Sequence, residues 1–137
     1  MVPQVLLHTQ TIRAPYVNTD GFRFKIYRQG FFSNIGKLFG MQDIEVGEPE
    51  FDREFVIQGN KEFQVRRFFA NPKIRALIEA QLQICFEAKN DEGFFGTKFP
   101  QEVDELHFLV NGVIKDVEQL KSLFYLFAEV LNYLYRI

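Results

Sequence analysis

Tryptophan is missing from this chain, and cysteine occurs once, at Cys85. A single cysteine excludes an intrachain disulfide framework and any cysteine-built metal cluster. An excess of one charge is lacking as well: 16 Lys and Arg stand against 18 Asp and Glu, a net charge of −2. Dedicated nucleic-acid binders carry a basic excess, so no nucleic-acid partner is expected. The longest apolar run, Leu123 to Ala128, falls far short of the roughly 20 residues that a membrane-spanning helix needs. Residues 1–12 lack a basic stretch followed by an apolar one, so no cleaved signal is expected. Ser/Gly linkers, low-complexity tracts and internal repeats are also missing, which leaves one domain over residues 1–137. The expected location is therefore cytoplasmic.

What is abundant is phenylalanine: 17 Phe and 5 Tyr, in a chain that is 47% apolar and 25% charged. That balance belongs to a folded domain. The Phe excess can fill a core, line a groove for an apolar ligand, or form an interface. A core is the default. The tip Gly93-Phe94-Phe95-Gly96 is the piece it explains least well.

Periodicity orders the chain. Thr11–Val17 and Gly21–Arg28 flank the turn-like Asn18-Thr19-Asp20-Gly21, and Phe22, Phe24 and Ile26 alternate with Arg23, Lys25 and Tyr27. This pattern predicts a hairpin. Residues 29–41 are glycine-punctuated and predict a loop. A short strand is expected at Ile44–Val46, then a stronger one in which Phe51, Arg53, Phe55 and Ile57 alternate with Asp52, Glu54, Val56 and Gln58. Beyond Gly59-Asn60 the period turns helical through Val65, Phe68 and Phe69. Asn71-Pro72 restarts a second short helix, with Asn as cap and Pro at the first helical position. Residues 82–89 and Leu106–Val110 alternate again as strands. Asp116, with Gln119 three residues on, opens a final helix that runs almost to Ile137. The expected fold is therefore α+β: an antiparallel sheet with two short helices and a long C-terminal helix packed on it. A pleckstrin-homology-like barrel with a capping helix is the alternative.

The run Phe51-Asp52-Arg53-Glu54-Phe55-Val56-Ile57, a Gly-Asn turn and a helix ending in Phe68-Phe69 resemble an uncharacterised bacterial domain-of-unknown-function family. Its members carry an F-D-x-x-F-x-[VI] strand, a short helix, two strands and an amphipathic C-terminal helix. The resemblance covers roughly residues 44–135 and implies no activity or catalytic residues.

Few constellations carry chemistry. Gly30 to Lys37 fails as a phosphate loop, because five residues separate its glycines and Leu38 follows the lysine. Cys85 would need a base to become a nucleophile, and His107, on a strand that could neighbour it, is the candidate. The other reading makes Cys85 a small packing residue, and this is the one preferred. Acidic residues between Asp43 and Glu54 lack a glycine-pivoted calcium spacing, and two histidines fall short of a zinc site. No metal and no cofactor are expected. Charge is segregated, with residues 13–41 at +4 and residues 42–54 at −5. Arg23, Lys25, Arg28 and Lys37 could form an anion- or lipid-binding patch through residues 22–39, with Phe31, Phe32, Leu38 and Phe39 entering a membrane interface.

The final helix has an apolar sector of about 200°, twice the stripe of a simple surface helix. One sheet face covers part of it. The rest, near Leu126, Val130 and Tyr133, would be covered by Phe-rich loops or by a second copy, with a homodimer as the first guess. No nucleophile–base–orienter set is visible, so the sequence points to a non-catalytic binding or assembly module. A small enzyme using Cys85 and His107 and a peripheral lipid binder are the rivals.

Overall fold

In the computed structural model, residues 9–18, 20–29, 42–81, 84–90, 103–111 and 116–136 are described. The element order is β1 (Thr9–Val17), β2 (Phe24–Arg28), β3 (Gln42–Asp43), α1 (Pro49–Glu54), β4 (Phe55–Gly59), α2 (Glu62–Phe69), α3 (Pro72–Glu79), β5 (Cys85–Asn90), β6 (Val103–Asn111) and α4 (Val117–Arg136). The six strands form one sheet in the order β1-β6-β5-β2-β4-β3, and every neighbouring pair is antiparallel. The fold is α+β. Among the described residues the sheet is open, with β1 and β3 at its ends, rather than the barrel held as alternative.

Strand alternation sorts the two faces. Phe24, Ile26, Ile57, Phe86, Leu106 and Phe108 point to one side and lie almost wholly buried under the helices. Val65, Phe68 and Phe69 from α2 and Ile74 and Ile78 from α3 meet them there, with Leu123, Leu126, Phe127 and Val130 from α4. Aromatic rings tile this layer: Phe24 lies 4.9 Å from Phe68 and 5.8 Å from Phe86, and Phe86 lies 5.5 Å from Phe127. Nine of the phenylalanines belong to this core. The tip at residues 93–96 and the loop at 30–41 lie outside the described residues.

Three expectations are corrected. Residues 51–54 are not strand but the end of α1. Pro49 presets the first helical φ, and Glu50 and Asp52 sit in the first turn, where the helix dipole favours acids. The Asp52 carboxylate also accepts the backbone N–H groups of Val46 and Gly47 at 2.9 and 3.0 Å. Phe51 and Phe55, four residues apart, stack at 4.6 Å. No strand forms over the expected Ile44–Val46; the strand is the two-residue β3 just before it, and Ile44 N continues the pairing with a single hydrogen bond to Ile57 O. The expected hairpin does not form either: β1 pairs with β6, whereas β2 lies between β5 and β4. The turn chemistry itself is present, since Asn18 Oδ1 accepts from Gly21 N and Asp20 Oδ1 from Phe22 N, each at 3.0 Å. It redirects the chain instead of folding it back on itself.

The two short helices and the long one stand where the pattern places them. Asn71 caps α3 through a 2.9 Å bond from Lys73 N to its Oδ1, and Asp116 Oδ1 accepts from Glu118 N at the start of α4. No helix among the described residues is long and apolar enough to cross a membrane.

Candidate functional site

Two surfaces concentrate side chains that the core does not use. The first is the outer side of α4. At 1.5 Å per residue its 20 residues make a rod about 30 Å long. Leu123, Leu126, Val130 and Leu134 point inward. On the opposite side Val117 (64% exposed), Phe124 (57%), Tyr125 (62%) and Tyr135 (88%) follow one another at helical spacing, with Ala128 among them. Lys121 and Asn132 are the polar members of this stripe. Beside it, Tyr125 and Ala128 join Lys73, Ala76, Leu77 and Glu129 around a cleft of about 480 Å3 between α3 and α4. The cleft's rim is fixed by the 2.7 Å ion pair from Lys73 to Glu129. The Gln81–Ser122 hydrogen bond, 3.0 Å long, ties α4 to the end of α3.

The residues expected near an interface, Leu126, Val130 and Tyr133, pack against the chain's own core. Leu126 and Val130 are fully buried there. The ring of Tyr133 packs edge-on against Phe68 at 4.9 Å, and burial pushes its hydroxyl pKa up. The wide apolar arc of α4 is covered on its inner half by the sheet together with α2 and α3, because those helices stand in the same layer. The uncovered apolar residues lie on the other side: Val117, Phe124 and Ala128 from the outer part of the arc, and Tyr125 from the polar face.

The second surface is the sheet face away from the helices. The registers bring one residue from each of the six strands into a single row: Arg13, His107, Glu87, Lys25, Gln58 and Asp43. Along it Glu87 stands between His107 and Lys25, and Gln58 between Lys25 and Asp43. Lys25 (7% exposed), Glu87 (9%), His107 (6%) and Gln58 (0%) are all buried. His107 Nδ1 faces Glu87 Oε1 at 3.7 Å, longer than a hydrogen bond. Gln58 donates to Asp43 Oδ1 at 3.0 Å, and Arg13 lies 3.9 Å from Glu105. Lys25 Nζ stands 5.8 Å from the centre of the Tyr27 ring.

Cys85 and His107 do share this face, because β5 and β6 pair. The register sets Leu109 across from Cys85 and Glu87 across from His107, so thiol and imidazole are diagonal neighbours. Such neighbours stand about 7–8 Å apart along the backbone. Sequence reasoning missed Glu87 as the group facing His107. The signal available was its spacing: Glu87 lies two residues from Cys85, and residues two apart share a face.

Of the four basic residues expected to form an anion-binding patch, the three described ones are each held by their own surroundings. Arg23 is clamped to Asp104 by contacts of 3.1 and 3.4 Å, and Asp104 also accepts from Asn18 Nδ2 at 2.7 Å. Arg28 reaches the other way, to Glu54 at 3.0 Å and to the carbonyls of Glu79 and Gln81, with its guanidinium 4.6 Å over the Phe55 ring. Lys25 is buried in the charged row. Lys37 and the apolar residues 31, 32, 38 and 39 lie outside the described residues. Compared with known proteins, the chain matches no family model, no curated protein and no solved structure.

Proposed function

We propose that this domain is a cytoplasmic, non-catalytic assembly module that docks a protein partner on the outer side of α4, a second copy of the chain being the simplest such partner. The observation that carries this reading is the exposed stripe of Val117, Phe124, Tyr125 and Tyr135 beside an apolar cleft. Scattered single apolar residues on a surface need no explanation, but a contiguous patch marks an interaction site. Tyr and Phe are the residue types that anchor interfaces, where they combine large buried area with little entropy loss. The same reading takes in the proposed kinship to a domain-of-unknown-function family, which has no assigned activity. A reducing compartment suits a chain whose one cysteine, Cys85, is buried as a thiol.

Photo-crosslinking tests the reading. With p-benzoylphenylalanine in place of Tyr125, covalent products with protein are expected in the native cells. The same group in place of the exposed Arg53 serves as control. Equal yields from the two positions would overturn the docking role.

The charged row supports a second reading, in which Cys85 is a nucleophile, His107 its base and Glu87 the group that orients the imidazole. Alkylation kinetics separate the two. The assembly reading expects Cys85 to react with iodoacetamide slowly and with an ordinary thiol pH profile. Fast reaction below pH 7, slowed by His107→Asn and by Glu87→Gln, would favour the nucleophile.

A further inference from the structure

We infer that the partner of this surface is a second copy of the same chain, with the two α4 helices packed antiparallel about a two-fold axis between residues 126 and 127. The inference rests on the docking reading above. It comes from how the outer stripe maps onto itself when reversed. Around that midpoint Val117 meets Tyr135, Lys121 meets Asn132, and the bulky pair Phe124 and Tyr125 meets Ala128. Large side chains therefore face a small one, as interdigitated helix packing requires. Each Tyr125 would enter at the mouth of the partner copy's cleft, beside Ala128, Leu77 and Ala76.

Charge separates this arrangement from its rival. In a parallel pair Lys121 would face Lys121 and Glu118 would face Glu118, both exposed like-charge contacts, while two Ala128 residues would leave a gap. Reversal removes both conflicts, since Lys121 gains the Asn132 amide and Glu118 lies toward Tyr135. Area comes close to what such a pair needs. With fully buried aromatic side chains covering 150–250 Å2 each, the exposed parts of Val117, Phe124, Tyr125 and Tyr135 supply roughly 500 Å2 per copy. Ala128, the Lys121 stem and the α3 rim bring the total toward the lower bound of about 1,200 Å2 for specific interfaces.

The test uses the full chain. Light scattering at about 100 μM should give twice the chain mass, and Phe124→Glu/Tyr125→Glu should raise the dissociation constant at least about tenfold. Ala128→Arg should do the same by filling the hole. Both variants should leave the helix content of the chain unchanged, because all three residues are exposed, and should lower the melt only by the stability that pairing adds. Spin labels on Glu118→Cys and Lys121→Cys, in a Cys85→Ala background, should report roughly 27 Å and 19 Å for the antiparallel pair. Equal distances near 10 Å at both positions would mean a parallel pair and overturn the inference. A wild-type chain that stays monomeric would also overturn it. If the Tyr125 crosslink then forms with a different chain, the docking reading stands and only self-pairing fails. A monomer without any crosslink ends both.

Discussion

The two faces of the sheet are built from the same strands and obey opposite rules. On the helix side, Phe24, Phe86 and Phe108 stand on neighbouring strands as a layer of rings. On the other side, a residue adjacent to each of these gives Lys25, Glu87 and His107. Both rows are buried to a similar degree. The apolar row gains from leaving water, about 25 cal/mol for each Å2. The charged row loses hydration and recovers it only through its neighbours across the strands. The first row therefore supplies stability, while the second makes strand register matter. A slip of two residues between β5 and β6 would set Glu87 against Glu105, and the same slip between β2 and β5 would set Lys25 against Lys89. The contrast teaches that burial alone does not say what a residue contributes.

The largest effect expected from breaking this contrast is on the apolar side. Phe24 touches four other rings, those of Phe22, Phe68, Phe69 and Phe86. Phe24→Ala should cost about 3–5 kcal/mol in urea unfolding. A cost under about 1 kcal/mol would mean that the ring layer collapses easily around a hole and is not a rigid base for the sheet.

On the charged side a double-mutant cycle sharpens the comparison. Glu87→Leu leaves Lys25 and His107 facing an apolar group and should cost about 3 kcal/mol. Glu87→Leu combined with Lys25→Met should recover much of that loss, because the uncompensated buried cation is gone. Additive losses in the double variant would show that the two residues act independently, and the row would then not be a coupled unit.

Much of this contrast is visible in the alternation of residues 22–27 and 84–88 and of Leu106–Val110, since period two in the sequence is period two in space. The cap at Asn71 and the start of α4 at Asp116 are equally local and equally legible. Phe51 and Phe55 show where local reading fails: four residues apart, they satisfy a helix face and one side of a strand alike. Pro49 and the Asp52 carboxylate decided for the helix. Strand partners were out of reach for another reason. The Asn18–Gly21 turn chemistry is real, but the strand leading into that turn, β1, pairs with β6, a contact with no local signature. The candidate surface was legible by half. The sequence pattern shows that α4 is apolar over too wide an arc, but which half stays bare depends on α2 and α3 sharing its layer.

On the helix side of the sheet, across from Phe24, lies Gly59 at the end of β4. A Cβ there would stand 2.4 Å from Val65 Cγ2 and 3.2 Å from the Arg23 carbonyl oxygen. Val65 is a short, fully buried branched side chain and cannot swing away. Gly59→Ala should therefore cost about 1–3 kcal/mol by overpacking. Gly59→Ala with Val65→Ala should be less damaging than the sum of the two single changes, and thermal melts of the three variants would show it. Strict additivity would place the strain at the Arg23 backbone instead.

The smallest expected effect lies at the corner where β1 gives way to β2, and it is read by pH. Burial alone would push the Asp20 carboxyl pKa up, but hydrogen bonds from Gln64 Nε2 and from Phe22 N, with the nearby Lys61 charge, hold it below the usual carboxylate value. Lys61 also donates to the Asp20 carbonyl oxygen. A carboxyl whose folded pKa is lowered adds stability that is fully present above its unfolded pKa, near 4. That stability is lost as pH falls through the lower, folded value. Asp20→Asn should therefore weaken the wild-type decline in melting temperature below pH 4 and leave the charged row and the ring layer intact. Because Asp20 is only partly buried, salt should shrink the difference. An unchanged acid limb in Asp20→Asn would show that the Asp20 carboxyl does not set the acid sensitivity.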